Sequence, residues 1–194
     1  MTSPSLQKVP VAERAASRID GLPVEAGLSP DEIRSAFRNH PAGVAVITAE
    51  APDGPVGLTA TSVFSVCAEP PLLAFSLAQG SYTGQALAQV DTLVIHLLGA
   101  AQVDIAKLFS SKGVDRFADS SRWARLPTGE PYLLDAPVWI RARVVERLKL
   151  QVGGSVVVAC HALQAHLAPG QAYEPLVYHD RAWHSISQQS KLPA

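Results

Sequence analysis

Residues 57–67 read Gly57-Leu58-Thr59-Ala60-Thr61-Ser62-Val63-Phe64-Ser65-Val66-Cys67. Four hydroxyls, Thr59, Thr61, Ser62 and Ser65, interrupt a run that otherwise has the composition of a buried β-strand. A small hydroxyl side chain contributes little packing area, and once buried it needs a hydrogen-bond partner. A flat polar ligand lying along the strand would supply such partners, which makes the stretch a candidate ligand shelf. The competing reading is a Thr/Ser-rich core strand whose hydroxyls are satisfied internally. Glu69-Pro70-Pro71 stops the run, and residues 72–78 read as a second apolar strand.

On the N-terminal side, Ser29-Pro30-Asp31-Glu32 is a helix start: Ser29 as N-cap, Pro30 at the first helical position, Glu32 closing a capping box. Leu28 and Ile33 are spaced for the accompanying hydrophobic staple. This helix is expected to reach about residue 39, before Pro41 and Gly43 break it. A short apolar strand follows over 43–49, then a turn at Pro52-Asp53-Gly54-Pro55. Residues 1–27 mix Ser, Pro, Gly, Ala and charge without a period, and are expected to be a flexible tail or a dimer arm.

Beyond the Pro-Pro stop, Ser81 can cap a short helix to about residue 89. Residues 92–98 form another β run, and 102–109 have helical spacing. Residues 110–131 read as one long connection. Residues 138–148 alternate as a half-exposed strand, with Val138, Ile140, Ala142 and Val144 on one face and Trp139, Arg141, Arg143 and Val145 on the other. Gly153-Gly154 is a hairpin turn, residues 155–166 the returning strand, and 176–186 a last hairpin. Many strands at hairpin spacing with few helices argue for a mainly β fold, an antiparallel barrel with peripheral helices.

Bulk properties narrow the function. The chain has 194 residues, 47% of them hydrophobic, enough for one domain with a real core. Sixteen Lys and Arg oppose seventeen Asp and Glu, a net charge of −1, which argues against nucleic acid or a membrane surface as partner. The two cysteines, Cys67 and Cys160, stand in apolar contexts and suggest neither a disulfide framework nor zinc. His161 and His166 are five apart, on opposite faces of a strand, so they are not expected to share a metal. No apolar run approaches the ~20 residues of a membrane span, and the N-terminus lacks a signal-peptide pattern. A soluble cytoplasmic protein is the expectation.

The order of segments from about residue 33 to 186 resembles the flavin reductase-like family. The resemblance is carried by Phe37-Arg38, by Pro41-Ala42-Gly43-Val44-Ala45-Val46-Ile47-Thr48, and by Gly57-Leu58-Thr59-Ala60-Thr61-Ser62. Glu69-Pro70-Pro71-Leu72-Leu73, Gly80-Ser81-Tyr82-Thr83, the run from Phe109 to Phe117 with Asp115-Arg116-Phe117, and Pro175-Leu176-Val177-Tyr178-His179 complete it. The resemblance implies an FMN-binding split β-barrel, antiparallel and Greek-key-like, over residues 28–190. It also implies an NAD(P)H:flavin oxidoreductase that holds FMN or FAD, uses NADH or NADPH, forms a homodimer, and supplies reduced flavin to a partner monooxygenase.

By the same resemblance, Thr59, Ala60, Thr61, Ser62 and Ser65 line the flavin ring and ribityl chain. Pro41, Ala42, Gly43 and Val44 bring backbone close to the flavin. Ser81 and Thr83 contact the phosphate at a helix start, where unpaired N–H groups attract an anion. Phe109, Ser110, Ser111, Lys112, Gly113 and Phe117 belong to a loop closing over the cofactor. Gly154 and Ser155 fall on the nicotinamide or substrate side. No catalytic side chain is assigned and no metal is expected.

Two departures stand out. The family commonly has Gly-Asp-His where this chain has Gly153-Gly154-Ser155, and the family strand often has Asn where this chain has His96. The first keeps two alternatives open: a flavin enzyme of the same fold acting directly on a small metabolite, or a non-catalytic flavin- or haem-binding module.

Overall fold

A computed structural model describes residues 18–19, 22–23, 27–150, 153–168 and 173–193. The expectation of a tail or dimer arm over 1–27 falls largely outside these residues. The chain divides into two units, Met1–Phe37 and Arg38–Ala194.

In the first unit, β1 (Arg18–Ile19) pairs antiparallel with β2 (Leu22–Pro23), and α1 runs Pro30–Arg38. The expected capping box is formed. The Glu32 amide donates to Ser29 Oγ at 3.1 Å, and the Ser29 amide donates to Glu32 Oε2 at 2.6 Å. Leu28 and Ile33, placed for the staple, are both exposed.

The second unit is built on a seven-stranded antiparallel sheet. Its strands are β4 (Ala45–Ala51), β5 (Gly54–Ala60), β6 (Phe64–Cys67), β7 (Leu72–Ala78), β8 (Thr92–Leu97), β11 (Val138–Lys149) and β12 (Ser155–Leu167), in the order β5-β4-β8-β11-β12-β7-β6. A smaller sheet joins β3 (Ala42–Gly43), β13 (Leu176–His179) and β14 (Ala182–Ser185), and β9 (Trp123–Arg125) pairs with β10 (Pro131–Leu133). The helices are α2 (Tyr82–Leu87) and α3 (Val103–Ser110).

The central strands are covered on both faces, so they read as near-continuous apolar runs rather than alternating ones. Ala45, Ile47, Leu93 and Ile95 enter one core with Phe75, Leu77 and Val158. Val44 and Val46 enter a second, with Ile105, Ala106 and Phe109 of α3 and with Leu133. Each fully buried Ile, Leu or Phe contributes about 1.5–3 kcal/mol relative to exposure.

Mainly β with peripheral helices describes the molecule; the closed split barrel does not. The large sheet is open, with β5 and β6 as its two edges, and among the described residues no ladder joins them. Two local causes are visible. The expected continuous strand over 57–67 breaks at residues 61–63, which connect one sheet edge to the other. On the far edge β6 has four residues and a register slip between Ser65 and Cys67, and it pairs with β7 alone.

Two further expectations are corrected. Residues 110–131 are not one loop, because β9 and β10 fold over the sheet. The strand over 138–148 is therefore not half-exposed along its whole length. Trp139 is 9% exposed and packs with Val94, Leu126 and Tyr132, while Arg141 lies beneath the buried Glu130. Among the described residues no helix is long and apolar enough to cross a membrane.

Candidate functional site

The antiparallel register brings several of the expected site residues together. Ala45 pairs with Ala60, so the Pro41–Val44 segment lies across from the exit of β5 at Thr61 and Ser62. Backbone groups on the Val44 side are already committed: the Val44 amide donates to Leu176 O at 3.0 Å, and Ala42 and Gly43 pair with β13.

The hydroxyls of the shelf separate into two classes. Thr59 Oγ1 donates to the Ala106 carbonyl of α3 at 2.7 Å, and Ser62 Oγ accepts from the Ser76 amide at 3.0 Å. Both are spent within the fold, and Ala60 is buried in the core. Thr61 is exposed, and among the described residues no hydrogen bond occupies its hydroxyl. Ser65 lies on β6 in an apolar groove of about 420 Å³ with Val63, Phe64, Leu73 and Leu97, and through Val63 and Leu97 this groove adjoins the β5 exit.

α3 is set flush on β5 by Gly57. A Cβ added there would lie 2.6 Å from Phe109 Cε1 and 3.0 Å from the Ile47 carbonyl. Phe109 is consequently a core residue, 1% exposed, and its ring is not free for a ligand. Ser110 and Ser111 hydroxyls both donate to the Lys107 carbonyl at 2.8 Å, closing the C-terminal turn of α3. Lys112 and Gly113 are exposed beyond it, Gly113 with φ of +72°.

Ser81 Oγ accepts from the Gly84 amide at 3.1 Å, so it caps α2. With six residues α2 offers little dipole, and the anion-binding capacity at this corner lies elsewhere.

That capacity belongs to Arg116, which the sequence reading did not single out. Its Nε donates to Phe109 O at 3.1 Å, Nη1 to Thr83 Oγ1 at 3.4 Å, and Nη2 to Ser111 O at 2.5 Å. The half-buried guanidinium thereby gathers Thr83, Phe109 and Ser111. A guanidinium carries five N–H groups. Among the described residues, nothing takes the second N–H of either terminal nitrogen. Two fixed donors and a positive charge, with Lys112 near in the chain, suit a phosphate.

The neighbours of Arg116 hold it from both sides. Asp115 Oδ1 accepts from the Phe117 amide at 2.9 Å. The Phe117 ring stands edge-on to Phe109 at 5.3 Å and to Trp123 at 5.2 Å, and Trp123 Nε1 donates to Phe117 O at 2.9 Å. A basic residue between Asp115 and an aromatic, inside a long polar segment, was the signal available in the sequence.

Gly153 and Gly154 have φ of +85° and +60°, the left-handed hairpin turn expected of them. Gly154 O accepts from the Gln79 amide at 2.9 Å and Ser155 pairs with Ala78, so this turn adjoins the strand end leading into Ser81.

The site is therefore elongated. Arg116 sits over the C-terminal end of α3, whose Phe109 ring packs on Gly57, and Thr61 lies four residues beyond Gly57, just past the end of β5. Phosphate donors at one end and a free hydroxyl at the other fit a long, flat phosphorylated ligand. The sequence model of the "Flavin reductase like domain" matches residues 37–187. The chain belongs to this family.

Within the flavin reductase family, the chain is 41% identical over 157 residues to "NADH:FMN oxidoreductase" of Rhodococcus qingshengii, covering 81% of this chain and 82% of that one. It is 35% identical over 158 residues to "FMN reductase (NADH) RutF" of Variovorax paradoxus, covering 80% and 85%. Among solved structures it is similar to a flavin reductase domain protein from Arthrobacter sp. FB24, with a TM-score of 0.74 and 30% identity over 81% of this chain and 95% of the other.

Two further polar groups, His96 and the Glu130–Arg141 pair, are held by partners within the fold. His96 Nδ1 donates to Val46 O at 2.9 Å and Nε2 accepts from the Leu133 amide at 3.0 Å. Burial lowers its pKa to about 4, against the smaller opposing effect of the Val46 bond, so the imidazole is neutral. Glu130 is 3% exposed; burial alone would raise its pKa, but hydrogen bonds from Arg141, Thr128 and Thr92 outweigh it and hold the pKa at about 2.

Proposed function

We propose that this flavin reductase family member is an NAD(P)H:flavin oxidoreductase that supplies reduced FMN or FAD to a partner monooxygenase. The observation that carries the reading is Arg116, a fixed half-buried guanidinium with two N–H groups unspent at one end of an elongated shelf. The names of the Rhodococcus and Variovorax relatives support FMN and NADH as the working pair.

The flavin, when bound, supplies the redox chemistry, taking up hydride from the nicotinamide. Arg116 and Lys112 hold the phosphate, with Thr83 and Ser111 fixing the guanidinium's aim. Thr61 donates its hydroxyl hydrogen to the polar edge of the ring, favouring charge that develops there. Pro41–Val44 form the opposing wall. At Gly153-Gly154 no acid or imidazole reaches the nicotinamide, so its placement rests on stacking and orientation.

The exposed Phe64 and Val66 on β6, Val145 and Leu148 on β11, and Leu163 and Leu167 on β12 support a homodimer in which a second copy covers them. With no charge excess for nucleic acid and no apolar span, the protein works in the cytoplasm on small molecules.

The test is a visible spectrum of the purified protein with FMN, then anaerobic titration with NADH. Flavin absorbance that binds and then bleaches stoichiometrically is expected. Bound flavin that neither NADH nor NADPH bleaches contradicts the reductase reading.

A further inference from the structure

We infer that His96 is a positioning residue for the phosphate anchor: from the buried sheet it fixes, through Leu133 and Trp123, the segment that carries Arg116. This rests on the reading of Arg116 as that anchor.

His96 is 0% exposed in the middle of the sheet, next to Val46 on β4 and Trp139 on β11. Its two contacts permit a single tautomer. The Leu133 amide can only donate, so Nε2 is bare; the Val46 carbonyl can only accept, so the hydrogen is on Nδ1. One side chain thus joins the sheet to β10 with both ring nitrogens used.

The connection continues without a gap. Leu133 is the register partner of Trp123 in the β9–β10 ladder. Trp123 Nε1 donates to Phe117 O at 2.9 Å, and its ring stands edge-on to Phe117. Phe117 is the next residue to Arg116, and its ring presses on Phe109, whose carbonyl takes Arg116 Nε. Thr48 makes a parallel attachment by donating to Pro131 O at 2.5 Å, but it is His96 that holds Leu133, the register partner of Trp123. A rigid site built on sheet-anchored residues holds its donors more closely than a free loop does.

An asparagine has the same capacity to donate and accept from one position. The requirement at residue 96 is thus a neutral donor–acceptor that bridges Val46 and Leu133, and histidine meets it with a longer reach. Leucine fills similar space and meets neither half.

The experiment compares wild type, His96→Asn, His96→Leu, Trp123→Phe and Arg116→Gln by fluorescence titration with FMN and with riboflavin, which lacks the phosphate. His96→Leu is expected to raise the FMN Kd about tenfold and move the riboflavin Kd by less than about twofold, with His96→Asn restoring FMN binding. Should His96→Leu fail to fold, Trp123→Phe carries the test, since it keeps an aromatic side chain beside Phe117 and removes the indole N–H to Phe117 O. A rise of about fivefold in its FMN Kd alone supports the inference. An Arg116→Gln variant that loses its FMN preference while folded His96→Leu and Trp123→Phe keep theirs overturns the inference and leaves the anchor standing. An Arg116→Gln variant that keeps the preference overturns both.

Discussion

Two of the half-hidden arginines among the described residues, Arg141 and Arg116, differ in how their charge is met. Arg141 lies on β11 with its charge cancelled by Glu130, Nε and Nη2 both within 2.9 Å of the carboxylate. Arg116 is held just as firmly, but by carbonyls and a hydroxyl, and its charge is left uncancelled. The first arrangement fastens β9–β10 onto the sheet and leaves no net charge to present. The second spends the same kind of hydrogen bonds to present a cation. Burial and bond count do not separate these two guanidinium groups; the missing counter-charge does.

Glu130→Gln tests the structural side, and the largest effect is expected there. Removing one partner of a buried pair costs roughly 3–5 kcal/mol, read as a fall in the urea midpoint. The acid response follows from the same site. The folded pKa of Glu130, about 2, lies below its ordinary 4.5, so its contribution is present above pH 4.5 and is lost as pH falls from there towards 2. His96 also has a lowered pKa, about 4 against 6.5. A histidine held neutral contributes fully above pH 6.5 and loses that contribution as pH falls from 6.5 to 4. Urea midpoints should therefore decline in two windows, and His96→Asn should flatten only the upper one.

Gly57→Val comes next. The added carbons meet Phe109 and the Ile47 backbone, neither of which can withdraw without moving α3 off β5. A loss of about 1–3 kcal/mol is expected from overpacking, accompanied by weaker FMN binding because the end of α3 supports Arg116. A stable variant with unaltered affinity would mean that α3 does not set the anchor.

The smallest effects sharpen the division among the shelf hydroxyls. Thr59→Val removes the bond to Ala106 O and should cost about 1 kcal/mol of stability. Thr61→Val breaks no bond within the fold, so it should leave stability within about 0.5 kcal/mol and raise the FMN Kd a few-fold. The opposite pattern would put the ligand on the buried side of β5.

How much of this was legible in the sequence follows the range of the interactions. The Ser29–Glu32 box, the Ser81 cap and the Gly153-Gly154 turn are local, and residue order alone specifies them. The candidate site residues were named from family order, and their commitments within the fold were not readable there. Thr59 is spent on Ala106, 47 residues away, and Thr48 on Pro131, 83 residues away. Nothing near Thr59 or Thr61 in the chain tells which hydroxyl is taken. The break after Ala60 was hidden because Thr61-Ser62-Val63 has strand-like composition on both sides. The open sheet was missed for the same reason: hairpin spacing gives neighbours, whereas closure depends on whether the two end strands meet. Arg116 stands in the Asp115-Arg116-Phe117 motif but was not assigned to the site, because an arginine in a polar segment reads as solvated until its three acceptors fold around it.

The central claim, that Arg116 presents charge to the phosphate of a bound flavin, is tested most directly by the ratio of riboflavin to FMN dissociation constants in wild type and Arg116→Gln. The account predicts that wild type favours FMN and that the substitution shrinks this preference by about tenfold or more, with riboflavin binding nearly unchanged. An equal preference in the two proteins would contradict it.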